Sequence, residues 1–317
     1  MSLEPMRVVS LLASGTEIVC ALGAEASLVG RSHECDNPAW VRSLPQCSEP
    51  AFDISVSSRE IDREVNRRIR AGEPLYHLHM EQIRDLMPDI ILAQVHCEVC
   101  AVTPRDLLQE GVRPVEAQVV ALSASRLDDI FEGMTQVAQA LGLSVKGRDL
   151  VGQERARLEE VRRKTAGRRR PSVVVLEWAD PFFAMGNWGP ELVRIAGGEP
   201  LLGNDGLYSS AISADLLRKA NPDYLIVAPC GFDLERSWRE QSVLEALPWW
   251  DELKAVQEGR VAFADGNRLF NRSGMTVTQT AEVLAEILHG ANVRNASEGA
   301  SGGMDWRWYT NARVQAI

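Results

Sequence analysis

Four of the six cysteines and two of the five histidines in this chain fall where short apolar runs end in turn residues. His33 and Cys35 follow Ser27-Leu28-Val29-Gly30, and His96, Cys97 and Cys100 follow Ile90-Ile91-Leu92-Ala93. Cys230 follows Tyr224-Leu225-Ile226-Val227. In an open α/β sheet the carboxyl ends of the strands form the crevice where ligands bind. Residues far apart in sequence would then meet at one soft, thiol-rich place. His96-Cys97 with Cys100 has the CxxC spacing that lets two thiolates share a metal or form a redox disulfide. A structural zinc site needs four ligands, and the sequence holds no second CxxC. Three readings therefore stand together: a metal or metallo-cofactor contact, a redox or nucleophilic thiol, and plain packing.

Other groups at strand ends add recognition chemistry. Glu177 and Trp178 close the run Val173-Val174-Val175-Leu176, and Trp188 sits in Gly186-Asn187-Trp188-Gly189. An indole at such a place can stack on a flat ring. Asn267 and Arg272 follow Val261-Ala262-Phe263 and offer an amide and a guanidinium for carboxylate or phosphate. Ser14 follows the first strand, about 7–12, and is a further candidate ligand contact. Cys20 lies on an apolar helical face and reads as core.

These residues need strands and helices in alternation to hold them. The uniformly apolar run at 90–93 is that of a strand covered on both faces. Ser14 or Thr16 is expected to cap the helix that follows the first strand. The segment from about 146 to 166 has apolar residues at helical spacing and no proline, which predicts one continuous helix. Met87-Pro88-Asp89 before one apolar strand is echoed by Asn221-Pro222-Asp223 before another. That echo predicts two similar α/β lobes, at 7–145 and 167–290, joined by the helix 146–166. The tail 291–317 lacks clear periodicity and is expected to be peripheral.

At 317 residues the chain is long enough for two cores, and its net charge of −10 argues against a nucleic-acid partner. No apolar run approaches the ~20 residues needed to span a bilayer. No secretory leader is evident before the first strand, which leads to an expectation of a cytoplasmic protein with reduced thiols, or of a periplasmic or other extracytoplasmic importer component if a leader has been removed. The P-loop, GxGxxG and HExxH patterns are all missing from the sequence.

The opening strand with Ser14-Gly15-Thr16-Glu17, then Ser32 to Pro38, Pro88-Asp89-Ile90-Ile91, Asp180-Pro181-Phe182-Phe183, Ala196-Gly197-Gly198, Ile212-Ser213 and Pro222-Asp223 occur in a telling order. In this the chain resembles the helical-backbone class of ABC-importer substrate-binding proteins, the vitamin B12-binding type in particular. The resemblance covers about 7–290. It implies a class III periplasmic-binding-protein fold: two parallel-sheet lobes, one long linking helix and a ligand held between the lobes. Ligands of that class are cobalamin, haem and iron-siderophores. An acidic residue on each lobe meets the permease, and the matching positions are Glu81 and Asp215, the latter one methylene shorter than the usual Glu. The thiol-bearing loops at 96–100 and 229–231 are not a feature of the B12 importer. The resulting expectation is a cytoplasmic branch that holds a corrinoid or other metal chelate, with cobalamin or a transition-metal ion as cofactor. The alternative is a thiol- or metal-dependent enzyme acting on a small molecule in the same place.

Overall fold

The computed structural model describes residues 6–95, 102, 107, 116–290 and 305–310. The chain divides into two compact units, one comprising Met1–Gln153 with Ser273–Met275, the other Glu154–Arg272 with Thr276–Ile317.

The first unit is built on four parallel strands, β1 (Val8–Ser10), β2 (Leu28–Arg31), β5 (Ile90–Gln94) and β6 (Gln118–Leu122), in the order β2-β1-β5-β6. All five residues of β5 are buried, as its apolar run requires. A small antiparallel pair, β3 (Ser48–Pro50) and β4 (Tyr76–Leu78), stands apart from this sheet. The helices are α1 (Ala13–Ala21), α2 (Ser58–Ala71), α3 (Met80–Asp85) and α4 (Leu127–Ala140). A reciprocal capping box starts α2: Glu60 N donates to Ser57 Oγ at 3.3 Å, and Ser57 N donates to the Glu60 carboxylate at 3.1 Å.

The long helix α5 (Ser144–Thr165) has 22 residues and spans about 33 Å. The division between the units falls within it, after Gln153. Gly147 allows α5 to approach α4 closely, because a Cβ there would lie 2.4 Å from Ala138 Cβ.

The second unit has a parallel centre with antiparallel edges. The strands β7 (Ser172–Ala179), β11 (Tyr224–Val227) and β12 (Val261–Ala264) run parallel. The short β9 (Glu199–Pro200) pairs in parallel with β7. On one side β8 (Phe182–Ala184) and β10 (Ser210–Ala211) run antiparallel. On the other side β13 (Trp306–Trp308) runs antiparallel to β12. The helices are α6 (Gly189–Ile195), α7 (Ala214–Ala220), α8 (Leu234–Arg239), α9 (Gln241–Glu245), α10 (Lys254–Gln257) and α11 (Val277–His289).

The sequence echo has a physical basis. Asp89 accepts a hydrogen bond from Arg7 N, just ahead of β1, at 2.7 Å. Asp223 accepts one from Ser172 N, the first residue of β7, at 2.9 Å. Met87 and Asn221, each two residues before the aspartate, both adopt left-handed backbone, with φ of 43° and 40°. In each unit the same device turns the chain out of a short helix and ties the next strand to its neighbour.

Two sequence expectations give way. Neither Ser14 nor Thr16 caps α1; its N-cap is Leu12, with no side-chain cap bond, and both hydroxyl residues are buried in the helix. The tail is not wholly peripheral, since Trp306–Trp308 extends the sheet and Tyr309, 5% exposed, joins the hydrophobic core of the second unit. Three residues are too few for a strand to declare a period.

Candidate functional site

In the first unit the ends of β1 and β2 close over a thiol. Cys35 is 1% exposed. Its sulfur accepts from Thr16 Oγ1 at 3.0 Å, contacts Ser32 Oγ at 3.2 Å, and donates to the Ser10 carbonyl at 3.7 Å. Burial pushes the Cys35 thiol up, against the opposing pull of the Ser32 and Thr16 hydrogen bonds. A protonated, enclosed thiol with its bonding capacity taken up inside the unit is a poor metal ligand. The sequence identified Cys35 as standing at a strand end but gave no sign that its side chain turns inward. Cys20 and Cys47 are likewise pushed up to about 11, chiefly by burial.

His33 makes local contacts. Its Nδ1 lies 3.0 Å from Ser48 Oγ, and its ring lies 5.3 Å from that of Tyr76. Burial first, then the Arg31 charge, lowers its pKa to about 4, with Glu49 opposing. The folded pKa lies below the ordinary 6.5, so the unfolded chain takes up the proton first. The stability this neutral imidazole lends is therefore complete above about pH 6.5 and is lost as pH falls from there toward 4. The loss should amount to about 3 kcal/mol. His33→Gln should flatten the fall in urea-unfolding free energy between pH 7 and 4.5. An unchanged pH dependence would reject this role. Ser14 is buried, and Gly274 lies against it, since a Cβ on that glycine would come within 2.7 Å of Ser14 Cβ.

The second unit gathers more recognition chemistry. At the carboxyl ends of β7, β11 and β12 stand Glu177, Trp178, Cys230 and Asn267. Cys230 N donates to the Glu177 carbonyl at 2.9 Å and binds the first two strand ends together. Gly266 N and Asn267 N both donate to the Phe232 carbonyl at 2.9 Å and add the third. The Trp178 and Phe232 rings are 5.2 Å apart, and the Arg236 guanidinium lies 3.7 Å from the Phe232 centroid on α8. This indole–phenyl–guanidinium series was missed at the sequence level. A lone phenylalanine after a strand end has no pattern of its own, and an arginine on a short polar helix resembles an ordinary solvated charge.

Asn267 sits in a π-helical turn, Gly266–Phe270, whose amino end is capped by Asp265 accepting from Arg268 N at 2.7 Å. Burial raises the Asp265 pKa, while Arg268 pulls the other way. Asn271 Nδ2 donates to the Ala228 carbonyl at 2.9 Å and the Gly266 carbonyl at 3.0 Å, locking the turn to the end of β11. Arg272 is 4% exposed and donates to Asn267 Oδ1 at 3.2 Å, so it reaches the site through Asn267. Trp188, 5% exposed, is a buried residue at the start of α6. Cys230 is half-buried.

His96, Cys97 and Cys100 lie outside the described residues. Among the described residues no group of three or more His, Cys, Asp or Glu could hold a metal ion. Cys35 belongs to the first unit and Cys230 to the second. Glu81 and Asp215 are both exposed in the first turns of α3 and α7.

Comparison with known proteins matches residues 8–267 to the periplasmic binding protein family. A substrate-binding lipoprotein of an ABC transporter from Bacillus subtilis, YvrC, is 22% identical over 293 residues, covering 90% of this chain and 81% of its own. Among solved structures, a periplasmic haem-binding protein from Pseudomonas aeruginosa has a TM-score of 0.65 at 20% identity, covering 89% of this chain and 92% of its own. The periplasmic vitamin B12-binding protein BtuF of Vibrio cholerae has a TM-score of 0.64 at 19% identity, covering 90% of this chain and 96% of its own. Identities this low carry the fold alone, and it is the class III fold, two sheet-bearing lobes joined by one long helix.

The expectation of a cytoplasmic protein is corrected by these findings. The curated relative is a lipoprotein and the structural relatives are periplasmic, which points outside the cytoplasm. No helix among the described residues is long and apolar enough to cross a membrane. With a family match spanning most of its length, the chain belongs to the periplasmic binding protein family.

Proposed function

We propose that this protein is the solute-binding component of an ABC importer, working outside the cytoplasm on a flat metal-bearing macrocycle of the corrinoid or haem type. One observation carries the ligand class: the Trp178, Phe232 and Arg236 series at the strand ends of the second unit, with the half-buried Cys230 on the same strand-end loop. The half-buried indole offers an apolar face to a macrocycle, and Phe232, 2% exposed, backs it from the core. A guanidinium suits the carboxylate or phosphate groups at its rim. A half-buried sulfur is a soft donor for a transition metal. Support comes also from relatives of the same fold that bind vitamin B12 and haem.

The permease contacts in this reading are Glu81 and Asp215. Each stands six residues before the left-handed residue of its Pro-Asp device, Met87 or Asn221, so the two occupy equivalent places in the repeated unit. The direct test is absorbance titration of the purified protein with cyanocobalamin and, separately, with haem, using zinc ion as a control. Saturable one-to-one uptake of one macrocycle is the expected result. Failure of both to bind, or binding of zinc alone, would overturn the ligand assignment.

A further inference from the structure

The strand β13 lies beyond the residues matched to the family, and its contacts reach the candidate site. Side chains alternate along a strand, and here 305, 307 and 309 share one face. Each grips a different element. The Asp305 carboxylate pairs with Arg268 and accepts from Gln279 Nε2 at 3.3 Å, while its carbonyl accepts from Asp265 N at 3.0 Å. Arg307 lies 3.8 Å over the Trp238 ring and donates to the Glu235 carboxylate at 3.1 Å. Tyr309 donates to Glu245 at 2.7 Å and accepts from Trp250 Nε1 at 3.4 Å.

Two of these grips act on the site from behind. Asp265 and Arg268 belong to the turn that presents Asn267. Glu235 and Trp238 belong to α8, the helix that lays Arg236 on Phe232. The Asp305 side chain is only 8% exposed, so its pairing with Arg268 is sheltered from solvent screening. Such a pair fixes geometry more than it adds stability, whereas removing one partner leaves the other charge uncompensated.

We infer that Asp305–Tyr309 is a clamp that sets the two ligand-facing elements of the second unit, the turn at 266–270 and α8, with Asp305 as a positioning residue for Asn267. The inference rests on the reading of these elements as the ligand site. Its first test is read without ligand, so that the two can fail separately. Amide hydrogen exchange should be compared between the full-length wild type, Asp305→Ala, the milder Asp305→Asn, and Arg307→Ala. The Asp305 variants should speed exchange at 265–271 by tenfold or more, and Arg307→Ala should do the same at 234–239. Protection of β7 and of the first unit should stay unchanged. Unchanged exchange at both places would overturn the clamp. So would an even loss of protection throughout the second unit, the mark of a strand that only adds stability.

The second test uses cyanocobalamin and haem as probes. Asp305→Asn should weaken uptake of whichever the wild type binds by about tenfold, and equal uptake would overturn the positioning role. A wild type that takes up neither overturns the ligand assignment, and the exchange result alone then decides the clamp.

Discussion

Gly266→Ala should lower the stability of the protein by about 3 kcal/mol or more, and many molecules should fail to fold. A Cβ at this position would fall 2.1 Å from the Pro229 carbonyl oxygen and 2.6 Å from the carbonyl carbon and oxygen of Ala228. All are backbone atoms, so no side chain can swing aside. Ala228 cannot retreat either, because its N–H donates to the Leu176 carbonyl and ties it to β7 at 2.9 Å. The turn must move instead, breaking the bonds from Gly266 N and Asn267 N to Phe232 and displacing Asn267. The nearby Gly231 provides the control. Its φ is 75° and an added Cβ would meet nothing within 4 Å, so Gly231→Ala pays only the left-handed backbone cost, about 1 kcal/mol. Urea unfolding of both variants checks this. A Gly266→Ala protein within 1 kcal/mol of wild type would mean that the turn is not packed as described.

The uniformly apolar β5 was legible because a strand covered on both faces leaves no polar alternation. The Pro-Asp echo was legible because a carboxylate that ties one strand's amide to the next leaves the same letters in both units. The long helix α5 was legible from spacing and from the lack of proline, with ends displaced by one or two residues. The sequence places a residue at a strand end but does not say which way its side chain turns. That is why Cys35, seen as a possible ligand, is an enclosed thiol held by Thr16 and Ser32. It is also why Trp188 is core while Trp178 is half-buried beside Phe232. Arg236 carried no signal at all, since a guanidinium over a phenyl ring is made by tertiary structure. Location was misread for a different reason: it was drawn from the apparent lack of a leader, and the relatives, a lipoprotein and periplasmic proteins, correct it.

The most direct measurement is a side-by-side titration of wild type and Trp178→Ala with cyanocobalamin and haem, followed by visible absorbance. Trp178 stands near the end of β7 with its ring 5.2 Å from that of the buried Phe232, and its removal takes away the accessible aromatic surface of the series. It is not part of the buried core, so the variant should keep wild-type stability to within about 1 kcal/mol. Affinity should fall at least tenfold, about 1.4 kcal/mol, for the macrocycle that the wild type binds. A Trp178→Ala protein that is as stable as wild type and binds with equal affinity would contradict the site. A wild type that binds neither macrocycle would contradict the ligand.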